Sequence, residues 1–366
     1  MLGLGVAIVA WFLTSALCTA CAKLALQRLA PHDCALTLTA LQFALSALIG
    51  AVAARARGHR VPSARREVLF VSVAYTCGFL FLNLSLGRLH ASFAETVRGL
   101  EPLTSFALAR LLSARGSRPG PVAQLALAGL ICGALLSVAA QPVFDARGLA
   151  FGLAANACFS ARALLVTSLQ DATRRRAAES GDPSLGEIDS LGLFAAQHFA
   201  GLVALVPAAL AADSHRCLDS LAWPSAAANP HAGASGAAAL SAVAFGSYNL
   251  LSLVVLLLID AVSHAVCNTL RRAVTIGTAA LVFRNAIPPA SAAGIVLIIG
   301  SAAVYSYAFR AERHLPAEGG PAIAAAAAES HKGLLAREAE HPPTADGGHS
   351  SDDDAGEGAA RPAERP

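Results

Sequence analysis

The chain consists of long apolar segments separated by short polar ones. Ten of the segments are about twenty residues long, the length that an α-helix needs to cross the hydrocarbon core of a bilayer. Most of them are apolar around the whole helical circumference, as membrane-embedded helices are. We therefore predict ten membrane-spanning helices, at residues 4–26, 34–54, 68–86, 91–112, 122–140, 149–169, 191–212, 237–259, 262–283 and 288–309.

The composition agrees with an all-α membrane protein whose environment is the lipid bilayer. Hydrophobic residues make up 55% of the chain and charged residues 14%, with a mean hydropathy of +0.56. A soluble domain carries about 25% charged residues. The net charge of +3 is small for this length, and no basic stretch contains interleaved aromatic residues. These features argue against nucleic-acid binding, and they leave a homodimer open.

Arginines are concentrated in alternate loops, and this asymmetry predicts the orientation. The opposite loops carry about one arginine each, and an excess marks the cytosolic side. With an even number of spans, both termini are expected in the cytosol. No basic or Arg/Ser-rich targeting stretch is visible at the N-terminus, which favours an endomembrane (Golgi or ER) over a plastid. The arginines of the rich side, the C-terminal flank included, are Arg55, Arg57, Arg60, Arg65, Arg66, Arg115, Arg118, Arg174, Arg175, Arg176, Arg310 and Arg313.

The eight cysteines predict neither a metal site nor a disulfide framework. All except Cys217 fall in or at the end of predicted spans, where a thiol behaves as a small hydrophobic group. Cys18 and Cys21 lie one helical turn apart, but no Cys or His cluster with metal-ligand spacing accompanies them. We expect no metal and no cofactor.

The chain also shows an internal duplication. The sequence LICGALLS at 130–137 resembles LIIGSAAV at 297–304, and each follows a span with arginine near its middle. Five helices per half, an odd number, place the repeats of about 1–140 and 148–310 in opposite orientations, as in many secondary transporters. The transporter domain would comprise residues 1–312. Residues 313–366 are too polar for a core, so a disordered cytosolic tail is expected.

Four arginines lie inside the predicted spans. Each costs about 2.5 kcal/mol or more in lipid, so it normally faces a cavity, a partner or a ligand. The positive charges of these arginines and Lys23 outnumber the negative charges of Glu95 and Glu101 by three. This surplus favours an anionic ligand. Two alternatives remain open: an intrahelical pair of Arg98 with a glutamate, and a Lys23 side chain that extends to the headgroups. The four are Arg98, Arg162, Arg271 and Arg272.

Several motifs together resemble one transporter family. Tyr248-Asn249 is followed by SHAVCNTLRR at 263–272, and the first half contains Ser92-Phe93, Arg98 and Glu101-Pro102. Phe159 with Arg162, and Trp11 with Lys23, add further matches. This set resembles the triose-phosphate translocator branch of the drug/metabolite transporter superfamily, to which nucleotide-sugar transporters are related. The resemblance implies the ten-helix, inverted-repeat fold of that superfamily.

The resemblance also implies the roles of individual residues. Arginines 98, 271 and 272 would clamp a phosphate, although the family usually has lysine at the first two positions. Phe79 and Leu82 stand where plastid translocators place a phosphate-contacting His and Thr, so triose phosphate is not the expected substrate. The substrate-binding set implied by the resemblance is Arg98, Arg271, Arg272, Tyr248, Arg162, Phe159 and Lys23.

These observations predict a secondary antiporter that exchanges an organic phosphate for inorganic phosphate by alternating access. The organic phosphate would be a sugar phosphate or a phosphoenolpyruvate-like molecule. One alternative is an antiporter of nucleotide sugars and nucleoside monophosphates in the Golgi or ER. A second is a non-transporting scaffold, whose intramembrane arginines would pair only with glutamates. An enzyme is not expected, because phosphate-loop, zinc-helix and nucleophile-elbow motifs are missing.

Overall fold

The computed structural model describes residues 2–30, 34–56, 66–112, 120–140, 145–181, 189–213, 217, 233–259, 261–285 and 287–314. These residues form helices and contain no strand. The predicted disordered tail beyond residue 314 lies outside the described residues. The helices are α1 (Leu2–Leu29), α2 (Ala35–Ala56), α3 (Arg66–Arg88), α4 (Ala91–Arg98), α5 (Glu101–Leu112), α6 (Pro121–Ala139), α7 (Ala146–Ser180), α8 (Ser190–Ala212), α9 (Ala234–Leu258), α10 (Ala261–Val282) and α11 (Pro289–His314).

The prediction of an all-α membrane protein is confirmed. Within the described residues, eight helices are long and apolar enough to cross a bilayer: α1, α2, α3, α6, α7, α8, α9 and α11. Helix α10, which corresponds to the predicted ninth span, carries Arg271 and Arg272 in its middle. The predicted fourth span, 91–112, corresponds to the two short helices α4 and α5.

The prediction of one continuous helix over 91–112 is wrong, and a proline explains the interruption. In a continuous helix the N–H of residue 102 would donate to the carbonyl of Arg98, but residue 102 is proline and has no N–H. Gly99 still bonds to the Thr96 carbonyl at 2.9 Å, and the next helix begins at Glu101. The helix is therefore interrupted between α4 and α5, and the Arg98 carbonyl needs a donor from another residue.

Helix α7 is longer than the predicted span 149–169. The Asp145 carboxylate caps its N-terminus by accepting from Gly148 N–H at 2.9 Å, and Gly181 ends it with a left-handed φ of 68°. Its 35 residues are about 52 Å long, well beyond the roughly 30 Å of the hydrocarbon core. The last turns therefore extend past the core, where Arg176 pairs with Glu67 of α3 at 3.2 Å.

Helices α6 and α11 approach each other closely because both carry glycine at the contact. A β-carbon built on Gly133 would lie 2.8 Å from the Gly294 carbonyl oxygen, and one on Gly294 would lie 2.7 Å from the Gly133 carbonyl oxygen. Either clash would force the helices apart. The small residues of this segment thus serve helix packing.

The end of the bundle opposite the arginine-rich loops is held by a disulfide. Cys34, just before α2, bonds to Cys217, which follows α8, with a Cα–Cα distance of 5.8 Å. The expectation of no disulfide is therefore wrong, because a separation of 183 residues hid the pairing in the sequence. Asp213, at the end of α8, adds a second link by accepting from the backbone N–H of Thr37 at 2.7 Å and from its hydroxyl. Both contacts join the start of α2 to the segment after α8.

The disulfide predicts a specific labelling pattern. Purified, denatured protein should react with a polyethylene-glycol maleimide at two more cysteines after reduction than before it. A Cys34→Ser/Cys217→Ser double variant should show the same band pattern with and without reductant. Equal labelling of the unmodified protein before and after reduction would show that the two thiols are not bonded.

Candidate functional site

A small cavity lies in the interior, among helices α1, α2, α3, α4 and α9. Its volume is about 20 Å³, which accommodates about one water molecule. A solute larger than a water molecule fits only if the surrounding helices move apart. Apolar side chains on one part of the wall are Phe79, Leu82 and Phe245, and polar groups on the remainder include Ser15, Thr19, Asn83, Glu95, Arg98 and Tyr248.

Arg271 is buried without an anionic partner. Its guanidinium donates to the Ser15 hydroxyl and to the Asn268 side-chain oxygen, the latter at 3.0 and 3.1 Å. The guanidinium carbon lies 5.6 Å from the ring centre of Trp11 and 5.7 Å from that of Tyr248. Among the described residues, no carboxylate oxygen lies within 4.0 Å of it. Neutral groups therefore hold Arg271, and its charge remains available to an anion.

Arg98 reaches the cavity from α4. Its guanidinium carbon lies 5.2 Å from the ring centre of Phe159, and one terminal nitrogen lies 3.9 Å from the Glu95 carboxylate. The Nε–H of Arg98 has no hydrogen-bond acceptor in the described part of the chain. The intrahelical pair with Glu95, one of the alternatives left open by the sequence, thus forms, but it leaves at least one donor of Arg98 unused.

Arg272 has a different environment from its neighbour. It donates to the carbonyl oxygen of Arg98 and to the carboxylate of Glu101. The first of these acceptors is the carbonyl that Pro102 leaves unpaired. Arg272 therefore fastens α10 to the junction between α4 and α5, and its charge is already compensated.

The structure places two other predicted site residues against protein acceptors. The Lys23 ammonium donates to the carbonyl oxygens of Leu86 and Leu89, both at 2.8 Å, at the end of α3. Arg162 donates to Gln197 at 2.8 Å, and its guanidinium carbon lies 4.8 Å from the Tyr75 ring centre.

The predicted selectivity residues form a packed apolar wall. The ring of Phe79 makes edge-to-face contacts with Tyr75, Phe159 and Phe245, with centroid distances of 4.8, 4.9 and 4.7 Å. Such contacts fix the ring orientation. Phe79 and Leu82 both line the cavity beside Arg98, so a bound anion would meet an apolar surface on this side.

A polar face on α1 was not identified from the sequence. Trp11 packs against Arg271 by its ring, and Ser15 and Thr19 bond to Arg271 and Glu95 respectively. Together with Lys23, these positions recur every four residues, which places them on one helix face. That periodicity within an otherwise apolar helix was the signal that could have revealed the face.

The helices and the cavity define a multi-pass membrane protein with buried cations at its centre. The chain belongs to the Triose-phosphate Transporter family, whose sequence pattern matches residues 2–306. This membership confirms the resemblance drawn from the motifs of α4, α9 and α10.

Curated relatives carry phosphate-translocator names. One relative is phosphoenolpyruvate/phosphate translocator 1, chloroplastic, of Oryza sativa subsp. japonica, which is 26% identical over 65% of this chain. The protein of the same name from Arabidopsis thaliana is 24% identical over 74% of this chain. The chain covers 55% and 64% of their respective lengths. Xylulose 5-phosphate/phosphate translocator, chloroplastic, of Arabidopsis thaliana is 27% identical over 64% of this chain and 52% of its own length. These plastid names do not favour the predicted Golgi or ER location.

The contacts of Arg272 predict energetic coupling with Glu101. Arg272→Ala leaves the carboxylate and the Arg98 carbonyl without their donor, so it should destabilise the protein. If the pair acts as described, Arg272→Ala and Glu101→Ala are non-additive by about 0.5–3 kcal/mol. Detergent-unfolding titrations of the four proteins of the cycle measure this. Arg271→Ala combined with Glu101→Ala is the control and should be additive; additivity in the Arg272 cycle would contradict the assignment.

Proposed function

We propose that the protein is a secondary antiporter that exchanges an organic phosphate for inorganic phosphate by alternating access. In this proposal α4 and α5 form one interrupted span, which gives ten spans in two inverted repeats, about 1–140 and 148–310. Residues 1–312 form the transporter domain, and 313–366 a cytosolic tail. The family membership and the translocator names of the relatives support this reading.

The observation that carries the proposal is the incomplete compensation of Arg271 and Arg98. Both side chains are buried, Arg271 has only neutral partners, and Arg98 has a donor without an acceptor. A buried cation is stable only with an anion and sufficient hydrogen bonds. Guanidinium groups bind phosphate through paired N–H donors. A phosphate between these two arginines meets both requirements.

The same charges account for coupled exchange. Without an anion, Arg98 and Arg271 repel each other when helix movements bring them together, and the low-dielectric interior strengthens the repulsion. A phosphate removes this cost, so the loaded transporter changes conformation more readily than the empty one. In this scheme Tyr248 adds a hydroxyl to the clamp, Arg272 holds the α4–α5 junction beside it, and Arg162, Phe159 and Lys23 contact the remainder of the cargo after the cavity opens.

A non-transporting scaffold fits the site less well. A scaffold would pair each intramembrane arginine with a glutamate, as Arg272 pairs with Glu101. In the described part of the chain, Arg271 departs from that arrangement and lies on Ser15, Asn268 and two aromatic rings. The cost of burying this cation is explained by an anion that binds transiently.

The disulfide supports a proposal for the cellular compartment of the protein. Cys34 and Cys217 lie at the helix ends opposite the arginine-rich loops, and those loops mark the cytosolic side. Disulfides persist in oxidising compartments such as the ER lumen. We therefore propose an endomembrane location with both termini in the cytosol.

This location favours a second candidate function, the exchange of a nucleotide sugar for a nucleoside monophosphate. The planar base of such a substrate suits the aromatic wall around Phe79.

Exchange is tested directly with purified protein in liposomes. Labelled phosphate should enter vesicles preloaded with phosphate, phosphoenolpyruvate or a nucleoside monophosphate, and the best internal substrate identifies the cargo class. Arg271→Ala should lower kcat/KM by about 10- to 100-fold, since a charge-assisted hydrogen bond contributes about 1.5–3 kcal/mol. Arg176→Ala, which removes a surface arginine, is the matched control and should retain exchange. Full activity of Arg271→Ala would contradict the proposed clamp.

The apolar wall predicts weak transport of triose phosphate. A small polar cargo facing Phe79 and Leu82 leaves its hydroxyls without partners, which costs binding free energy. The Phe79→His/Leu82→Thr variant should therefore raise the kcat/KM for triose phosphate relative to phosphoenolpyruvate. Vesicles preloaded with each substrate and supplied with labelled phosphate give that ratio. Rapid triose-phosphate exchange by the unmodified protein would refute the selectivity argument.

A further inference from the structure

Glu95 is a buried carboxylate inside the proposed phosphate site. Its residue is 3% exposed, and its side chain lines the same cavity as Arg98 and Tyr248. One carboxylate oxygen accepts a hydrogen bond from the Thr19 hydroxyl at 3.0 Å. The other has no hydrogen-bond partner among the described residues and lies 3.9 Å from an Arg98 terminal nitrogen.

The contact between Glu95 and Arg98 is attractive but incomplete. A separation of 3.9 Å is an ion-pair distance, yet it exceeds the 2.7–2.9 Å that is usual for a charge-assisted hydrogen bond. Each partner also has an unsatisfied polar atom, the Arg98 Nε–H and one Glu95 oxygen. A buried pair with such unused groups is weakly stabilising. A stronger anion can therefore displace the carboxylate from the arginine.

Glu101, the other glutamate of this region, has a different environment from Glu95. Glu101 hydrogen-bonds directly to Arg272 at the junction of α4 and α5, and it does not line the cavity. Its role is structural. Glu95 instead presents its charge to the arginine that the proposed function assigns to the cargo phosphate.

We propose that Glu95 is an internal anion that replaces the cargo phosphate at Arg98 when the site is empty. In this arrangement the carboxylate compensates part of the Arg98 charge, so the empty transporter can close and reorient. Net transport without a counter-substrate then accompanies exchange. The inference rests on the proposed phosphate exchange and adds a second activity to it.

The same geometry implies that a cargo phosphate and the Glu95 carboxylate compete for Arg98. An incoming phosphate and the Glu95 carboxylate carry charge of the same sign and need the same N–H donors. Phosphate binding must therefore move the carboxylate away from Arg98, and the hydrogen bond that it already accepts from the Thr19 hydroxyl can hold it there. Removing the charge of Glu95 should strengthen phosphate binding and disfavour the empty reorientation. Removing the Thr19 hydroxyl should have the opposite effect on phosphate binding.

The experiment compares two fluxes of labelled inorganic phosphate in proteoliposomes, exchange into phosphate-loaded vesicles and net uptake into vesicles without phosphate. The unmodified protein should show both. In Glu95→Gln, the ratio of net uptake to exchange should fall by about 10-fold, and the phosphate KM for exchange should fall by a similar factor. Thr19→Val should raise that KM by a factor of about 3, because one neutral hydrogen bond is lost.

The controls separate this inference from the proposed function. Glu67→Gln makes the same change at an exposed ion pair with Arg176, and both fluxes should match those of the unmodified protein. If no phosphate is exchanged with any preloaded substrate, the proposed function fails. If exchange occurs but Glu95→Gln leaves the flux ratio and KM unchanged, only the internal-anion inference fails. Loss of both fluxes in Glu95→Gln, with Thr19→Val unaltered, would assign Glu95 a structural role and also overturn the inference.

Discussion

The hydrogen bond from Arg272 to the Arg98 carbonyl is the contact on which the central site depends. Pro102 cannot donate to that carbonyl, and a backbone acceptor inside a membrane protein needs a donor. Arg272 supplies one and simultaneously binds Glu101. The α4–α5 junction is thereby attached to α10, and the Arg98 side chain is held where α4 meets the cavity.

The adjacent residues Arg271 and Arg272 have different partners because of helix geometry. Consecutive residues project about 100° apart, so Arg271 and Arg272 cannot contact the same groups. Arg272 faces the α4–α5 junction, while Arg271 faces Ser15 and Trp11 of α1. Arg272 is thus paired with a carboxylate, whereas Arg271 is held by neutral groups. The resemblance gives both residues a place in a clamp, and their contacts in this structure differ.

The elements were largely predictable from the sequence, because apolar length is a local property that determines a membrane helix. The buried arginines were predictable for the same reason, since a charge within an apolar run is conspicuous. The Cys34–Cys217 bond and the partners of Lys23 depend on contacts between distant segments. The break after Arg98 was visible locally as Gly99 and Pro102, but the apolar residues on both sides favoured a continuous helix.

Aromatic rings explain why arginine suits positions 98 and 271. Arg98 lies over Phe159, and Arg271 lies between Trp11 and Tyr248, all within 6 Å of a ring centre. A planar guanidinium stacks on such faces more favourably than an ammonium does. The rings stabilise each cation without cancelling its charge, so the cation remains able to bind an anion. Phe79 extends the same aromatic wall through its edge-to-face contact with Phe159.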